Sequence, residues 1–187
     1  MRGPLNRCLA AVGLGMAIGW ATPTAPAAAA ANEYSVKAAF LYQFAKYVEW
    51  PAAAFDPPAG VSHFCVFGDN PFGPVLAQTL AGKLVHERPV QVELIGRVGE
   101  LQRCHLVFLP AAAAGSLPKV VAALGRRPVL LVGESAGFAE RGGMINFIVE
   151  DGSVRFEINP RVASASGLRI SSKLLELARI VDKDGRW

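Results

Sequence analysis

The chain has 187 residues, of which 52% are hydrophobic, and its 19 basic and 15 acidic side chains give a net charge of +4. This length and apolar content suffice for one domain with a hydrophobic core. Beyond the pair Arg126 and Arg127, the basic residues form no run. Proteins that bind nucleic acids through charge carry basic patches or stripes. The sequence therefore does not favour a nucleic-acid partner.

The amino terminus is organised like a secretory signal peptide. A basic start, MRGPLNR, precedes fourteen apolar residues and then an alanine-rich stretch. The apolar segment is shorter than the roughly 20 residues that span a bilayer, which disfavours the alternative of a membrane anchor. A lipoprotein modified at Cys8 is a further, less favoured alternative. We expect export with cleavage between Ala28 and Ala31, so that residues 1–31 are a signal peptide and residues 32–187 form a single domain.

Residues 34–50 have the apolar periodicity of a helix that ends before a proline. The wide apolar face of this helix includes Phe40, Phe44, Tyr47 and Trp50. So wide a face predicts burial against more than one neighbour. We expect the protein's own core to cover it rather than a partner protein. Phe44 is assigned to the core, and Tyr47 and Trp50 stay open between the two interpretations.

Apolar segments alternate with short helices through the middle of the chain. The predicted strands are 63–68, 89–96, 104–110 and 128–133, and the predicted helices lie near 72–81 and at 115–125. The strands 104–110 and 128–133 are apolar throughout, which is typical of central strands covered on both faces. The segment 89–96 alternates apolar and polar residues, as a half-buried strand does.

The pentapeptide Gly133–Gly137 (GESAG) follows the fourth predicted strand and matches G-x-S-x-G, the nucleophile turn of α/β-hydrolases. In that fold the histidine base follows the serine along the chain. No histidine follows Ser135 in this sequence. We therefore interpret the pentapeptide as a glycine-rich turn and keep an esterase only as a remote alternative.

Residues 144–159 contain two alternating runs that flank Asp151 and Gly152, a pattern that predicts a β-hairpin. Ile145, Phe147 and Val149 are expected to share a face with Val154, Phe156 and Ile158. Together with the preceding elements, this pattern predicts an α/β fold. We expect a three-layer sandwich with a mainly parallel sheet and a C-terminal antiparallel hairpin at 144–159.

The last predicted element is a helix over 172–181, capped by Ser171 or Ser172. Arg169, Ser171, Ser172 and Lys173 could hold an anion at the start of this helix. Helix capping together with solvated charges explains the same residues more simply. The sequence contains no glycine-rich phosphate loop and no cluster of metal ligands. We predict no catalytic residues, no metal and no cofactor.

Two cysteines, Cys65 and Cys104, remain after removal of the expected signal peptide. In an exported chain, a pair of cysteines beside apolar strands favours one disulfide. Two buried free thiols are the alternative. A zinc site is less favoured, because Cys104 and His105 lack further ligands at suitable spacing.

Five segments of the sequence, taken in order, resemble the YfiR-like family of bacterial periplasmic proteins. They are EYSVKAAFLYQFAKYVEWP (33–51), CVFGDNPFG (65–73), CHLVFLP (104–110), GFAERGGMINFIVEDGSVRFEIN (137–159) and SGLRISSKLLELARIV (166–181). They extend over nearly all of the chain that follows the expected signal peptide. In this family the stretch that corresponds to GESAGF is a variable loop without a catalytic role.

The resemblance implies a regulator that is not an enzyme. It implies a periplasmic protein that binds the periplasmic domain of an inner-membrane sensor, most typically a YfiN-like diguanylate cyclase. Repression of that enzyme lowers cyclic di-GMP and biofilm formation. A homodimer is compatible with the family. The main alternative is a periplasmic protein that binds a small molecule at the carboxyl edge of its sheet.

The resemblance also concerns the cysteines. Cys65 and Cys104 match a pair that forms a disulfide in the family. A second family pair is missing, because residues 137–147 contain no cysteine. A redox mechanism that requires two bridges is therefore not expected for this chain.

Overall fold

A computed structural model of the protein describes residues 25–55 and 60–181. The helices are α1 (Ala25–Tyr47), α2 (Val75–Leu80), α3 (Leu117–Leu124), α4 (Pro160–Ala165) and α5 (Ser172–Leu175). The strands are β1 (Val48–Glu49), β2 (Ser62–Phe67), β3 (Leu84–Val85), β4 (Arg88–Ile95), β5 (Leu106–Leu109), β6 (Leu130–Gly133), β7 (Ile145–Glu150), β8 (Ser153–Ile158), β9 (Arg169–Ile170) and β10 (Arg179–Ile180). None of the described helices is long and apolar enough to cross a bilayer.

The main sheet has eight strands in the order β10-β8-β7-β6-β5-β2-β4-β3. Five neighbouring strands, from β7 to β4, run parallel to one another. The outer strands add antiparallel pairs, β7 with β8 and β3 with β4. A second small sheet pairs β1 with β9. The predicted α/β fold with a mainly parallel sheet is confirmed.

Helices cover both faces of the main sheet. On one face, the ring of Phe44 in α1 lies 5.4 Å from that of Phe147 and 4.9 Å from that of Phe156. On the other face, Val121 of α3 and Val162 of α4 line a cleft together with Leu131 of β6. Successive residues of a strand point to opposite faces, so the apolar strands β5 and β6 need cover on both sides. Their eight residues are all buried.

The hairpin has the predicted register. Ile145, Phe147 and Val149 are opposite Ile158, Phe156 and Val154. Asp151 and Gly152 both have positive φ, 48° and 72°. A two-residue turn of this conformation matches the twist of the flanking strands. Phe147 and Phe156 consequently face α1 together.

The first predicted helix is correct in type but wrong in its bounds. The helix begins at Ala25 and ends at Tyr47, and Val48 and Glu49 form β1 instead of its last turn. The residue before a proline disfavours the helical conformation. Pairing with β9 then gives the extended backbone of β1 its hydrogen bonds.

The last predicted helix, 172–181, is wrong over most of its length. Only Ser172–Leu175 is helical, with Ser171 as its N-cap. Arg179 and Ile180 form β10, which pairs in parallel with β8. Without β10, the outer edge of β8 would expose unpaired backbone groups. This tertiary pairing outweighs the local helix preference of the segment.

The predicted signal peptide lies mainly outside the described residues, which begin at Ala25. The expected cleavage region, Ala28–Ala31, falls within the first turns of α1. The export of the chain and the extent of its domain stay predictions.

Candidate functional site

The structure joins Cys65 and Cys104 by a disulfide, with their Cα atoms 6.0 Å apart. Cys65 lies within β2, and Cys104 lies two residues before the start of the neighbouring strand β5. Both residues are buried. The bridge therefore fixes the start of β5 against β2.

A cavity of about 340 Å³ lies beside this bridge, at the amino edge of the parallel sheet. We call it the basic cavity, because its lining includes the side chains of five histidines and arginines: His63, Arg88, Arg103, His105 and Arg127. These residues lie at or just before the starts of β2, β4, β5 and β6. Because the strands are parallel, their starts meet at one edge. The described lining contains no acidic side chain.

The three arginines of the basic cavity have different partners. Arg103 Nε lies 2.7 Å from Glu93 Oε2, and Glu93 Oε1 is 2.5 Å from His63 Nδ1. Arg88 Nη1 donates to the carbonyl of His86, and Arg127 Nη2 donates to the carbonyl of Gln102. In the part of the chain that the structure describes, Arg88 and Arg127 thus contact neutral acceptors and no carboxylate.

Four planar groups form one continuous stack at the cavity. The guanidinium of Arg88 lies 4.2 Å from the ring centroid of Phe55. Phe55 stacks on His105 at 4.5 Å, and His105 stacks on His63 at 5.8 Å. His105 Nδ1 accepts the backbone N–H of His63. The stack holds Arg88 and both imidazoles in fixed relative positions.

Burial lowers the pKa of His105 from 6.5 to about 4, and the charges of His63 and Arg88 act in the same direction. His105 is therefore neutral at pH 7. The three arginines bring positive charge to the basic cavity, and His105 serves as a neutral wall.

The carboxyl edge of the sheet carries a buried ion pair between Lys37 of α1 and Glu134, the residue after β6. The Lys37 Nζ lies 2.6 Å from Glu134 Oε2, and both side chains are only 4% exposed. Glu134 Oε1 accepts hydrogen bonds from the Tyr34 hydroxyl (3.1 Å) and from the Ala111 backbone N–H (3.0 Å). Lys37 also contacts Glu33. Every buried charge in this cluster has a partner, as burial requires.

The same cluster perturbs Tyr34. Burial raises the pKa of its hydroxyl to about 12, and the negative charge of Glu134 and the hydrogen bond to it add to this effect. A cleft of about 410 Å³ opens beside the cluster. Under the small-molecule alternative, a ligand would bind at this carboxyl edge of the sheet. The charges of Lys37 and Glu134 at this edge are instead compensated by each other and by other groups of the protein.

The GESAG pentapeptide forms the turn at the carboxyl end of β6, as predicted. A Cβ atom on Gly133 would lie 2.3 Å from the ring of Phe138, so this position requires glycine. Ser135 Oγ accepts a hydrogen bond from Arg141 at 3.4 Å. His63 and His105 lie at the opposite edge of the sheet, and His86 contacts the carbonyl of Val48. This geometry supports the turn and gives the esterase alternative no Ser–His pair among the described residues.

The predicted face of α1 divides between core and surface. Phe44 is fully buried, and Phe40 is half-buried against Phe156, with the two ring centroids 5.4 Å apart. Trp50 is half-buried against Phe55 and His86. Tyr47 is 40% exposed. A role for this face in binding a partner stays a prediction, and Tyr47 is its exposed member.

The four residues of the predicted anion site are close in sequence, but two of them already have partners. Arg169 pairs with Glu49 at 3.2 Å on the surface. Ser171 Oγ accepts the backbone N–H of Lys173 and caps α5. Ser172 and Lys173 are exposed. The anion site also stays a prediction.

Two clusters escaped the sequence analysis. The buried ion pair could have been indicated by the position of Lys37, which lies one turn before Leu41 on the apolar face of α1. Both residues are buried there. The signal for the basic cavity was a histidine or an arginine at the start of each of four predicted strands. Among the described residues, no group of histidine, cysteine and acidic side chains is arranged to hold a metal ion.

Of the two solved structures that follow, the first is similar to this chain in fold alone. A conserved domain protein from Vibrio cholerae shares 10% identity at a TM-score of 0.53, over 78% of this chain and 60% of that one. The ABC domain of a Streptococcus pneumoniae protein, in complex with L-Trp, shares 12% identity at a TM-score of 0.48, over 64% of this chain and 55% of that one. This chain thus spans less than two thirds of either structure.

No curated protein matches the chain in sequence. A family model described as YfiR/HmsC-like matches residues 34–179. The match extends from Tyr34 in α1 to Arg179, the first residue of β10. It includes the disulfide, the basic cavity and the hairpin. The chain therefore belongs to the YfiR/HmsC-like family.

Proposed function

We propose that this protein is a periplasmic regulator that binds and represses an inner-membrane signalling protein, a diguanylate cyclase of the YfiN type. The observation that carries the proposal is the family match over residues 34–179. Repression of the cyclase lowers cyclic di-GMP and thereby biofilm formation.

Two features of the structure support a binding role. The hydroxyl of Ser135 accepts a hydrogen bond from Arg141, and His63 and His105 lie at the opposite edge of the sheet. Neither imidazole is therefore placed to act as a base for this serine. The disulfide closes a segment with a sequence separation of 39 residues, which suits a protein of the oxidising periplasm.

The test is deletion of the gene in its own bacterium. We expect cyclic di-GMP and surface attachment to rise, and we expect a second deletion of the cyclase gene to abolish both effects. Complementation with the wild-type chain and with Ser135→Ala should restore the low level equally, because repression does not require a nucleophile.

Direct binding is tested with the purified periplasmic domain of the cyclase. A complex on size-exclusion chromatography, together with the epistasis, would support the proposal. If the deletion leaves cyclic di-GMP unchanged, or if its effect persists without any cyclase, the proposal is wrong. Restoration by the wild-type chain but not by Ser135→Ala would favour the esterase alternative.

A further inference from the structure

We propose that the basic cavity at the amino edge of the sheet is a binding site for a small dianion that carries phosphate or carboxylate groups. This site is separate from the predicted anion site at Arg169, Ser171, Ser172 and Lys173. It is also at the opposite edge of the sheet from the Lys37–Glu134 pair.

The first argument is the charge of the cavity. Three guanidinium groups line a space of about 340 Å³, and the described lining contains no acidic side chain. Glu93, behind this lining, pairs with Arg103 and His63. Arg88 and Arg127 contact only backbone carbonyls and the Phe55 ring within the described chain. An anion in the cavity would supply the counter-charge that these two arginines lack among the described residues.

The second argument is preorganisation. Arg88 lies on the buried ring of Phe55, which stacks in turn on His105. Arg127 is tied to the carbonyl of Gln102. The disulfide at Cys104 holds Arg103 and His105, its two neighbours in the chain, beside β2. Groups that are already fixed lose little conformational entropy when a ligand binds.

The third argument is the match between ligand and site. Guanidinium groups bind carboxylates and phosphates through two parallel hydrogen bonds, which gives geometric selectivity as well as charge. The cavity volume is at the lower end of the range for small-molecule sites. A compact dianion therefore fits the site better than an extended ligand.

The experiment is calorimetric titration of the purified protein with inorganic phosphate and, separately, with succinate. The buffer contains neither phosphate nor carboxylate, and sodium chloride of matched ionic strength is the blank. We expect saturable binding of one molecule per chain for at least one of the two probes. The comparison between them shows whether phosphate or carboxylate is the preferred group.

The variants Arg127→Ala and Arg88→Ala should each weaken binding by about tenfold or more, because each removes charge-assisted hydrogen bonds. Arg126→Ala is the matched control. Arg126 is adjacent in sequence and also exposed, but its Nε contacts the carbonyl of Ala165 and it does not line the basic cavity. Circular dichroism and thermal melting confirm that each variant is folded.

Arg127→Lys keeps the charge without the planar fork and is expected to bind with intermediate affinity. The proposal is overturned if neither probe binds above the salt blank. It is equally overturned if Arg126→Ala weakens binding as much as Arg127→Ala, since the effect would then reflect net charge. A failure here leaves the repressor proposal intact, because that proposal is measured by cyclic di-GMP.

Discussion

The buried ion pair of Lys37 and Glu134 allows a quantitative test of the fold. Removing one partner of a buried pair usually destabilises a protein by about 3–5 kcal/mol, because the remaining charge is left in a poorly solvated site. For Lys37→Met we expect about 3 kcal/mol, the lower end of this range. The remaining Glu134 carboxylate keeps its hydrogen bonds from Tyr34 and from the Ala111 N–H.

The opposite change is expected to be milder. In Glu134→Gln, Lys37 still contacts Glu33, whose side chain is 32% exposed and therefore partly solvated. The amide oxygen can also still accept from Tyr34. We expect a loss of about 2 kcal/mol, the scale of one hydrogen bond to a charged group. The double variant should lose less than the sum of the two single losses, with a coupling of about 1–3 kcal/mol.

The assay is urea unfolding at pH 7 followed by far-ultraviolet circular dichroism. Lys46→Met is the matched control, because Lys46 lies in the same helix but is exposed, and its ammonium group lies over the ring of Tyr42 rather than beside a carboxylate of the described chain. It should change the free energy of unfolding by less than about 0.5 kcal/mol. Additive losses in the double variant, or a loss below about 1 kcal/mol for Lys37→Met, would refute the reasoning.

A second measurement on the same variants tests the electrostatics. Burial and the negative charge of Glu134 raise the pKa of Tyr34 to about 12. The contribution of this neutral hydroxyl to stability is complete below about pH 10 and is lost as the pH rises through about 12. In Glu134→Gln, spectrophotometric titration should show the Tyr34 pKa shifted back toward 10, and Tyr34→Phe should remove that component.

Three more predictions concern other parts of the fold. Phe44→Ala should cost about 3–5 kcal/mol because the ring is fully buried. Tyr47→Ala, on the exposed side of the same helix, should cost less than about 1 kcal/mol in the same urea assay. Cys104→Ser should lower the unfolding free energy by about 4 kcal/mol in the chain-entropy model, and reductant should destabilise the wild type to the same extent but leave the variant unchanged. Because the pKa of His105 is lowered from 6.5 to about 4, the unfolded chain binds a proton in this range that the folded protein excludes. Stability should therefore fall as the pH drops from 6.5 to 4, and His105→Asn should flatten this dependence. Equal slopes for both proteins would contradict the assignment.

Local patterns in the sequence were sufficient for the parts of the fold that depend on periodicity. The hairpin register followed from alternation around Asp151 and Gly152, because a one-residue slip would turn every apolar side chain to the wrong face. The central strands β5 and β6 followed from uninterrupted apolar runs. The five motifs that run from residues 33–51 to residues 166–181 were together also enough to indicate the family.

Only the tertiary structure decided the ends of α1 and α5 and the composition of both edges of the sheet. Val48 and Arg179 leave their predicted helices because partners distant in sequence, Ile170 and Glu157, offer them strand pairing. The basic cavity depends on parallel strand order, which brings together side chains that are separated by up to 64 positions, from His63 to Arg127. Lys37 and Glu134 are 97 positions apart. Contacts of this kind leave no local periodicity in the sequence. The partners of these charged side chains, and the pKa shifts that the contacts cause, therefore depend on the tertiary fold.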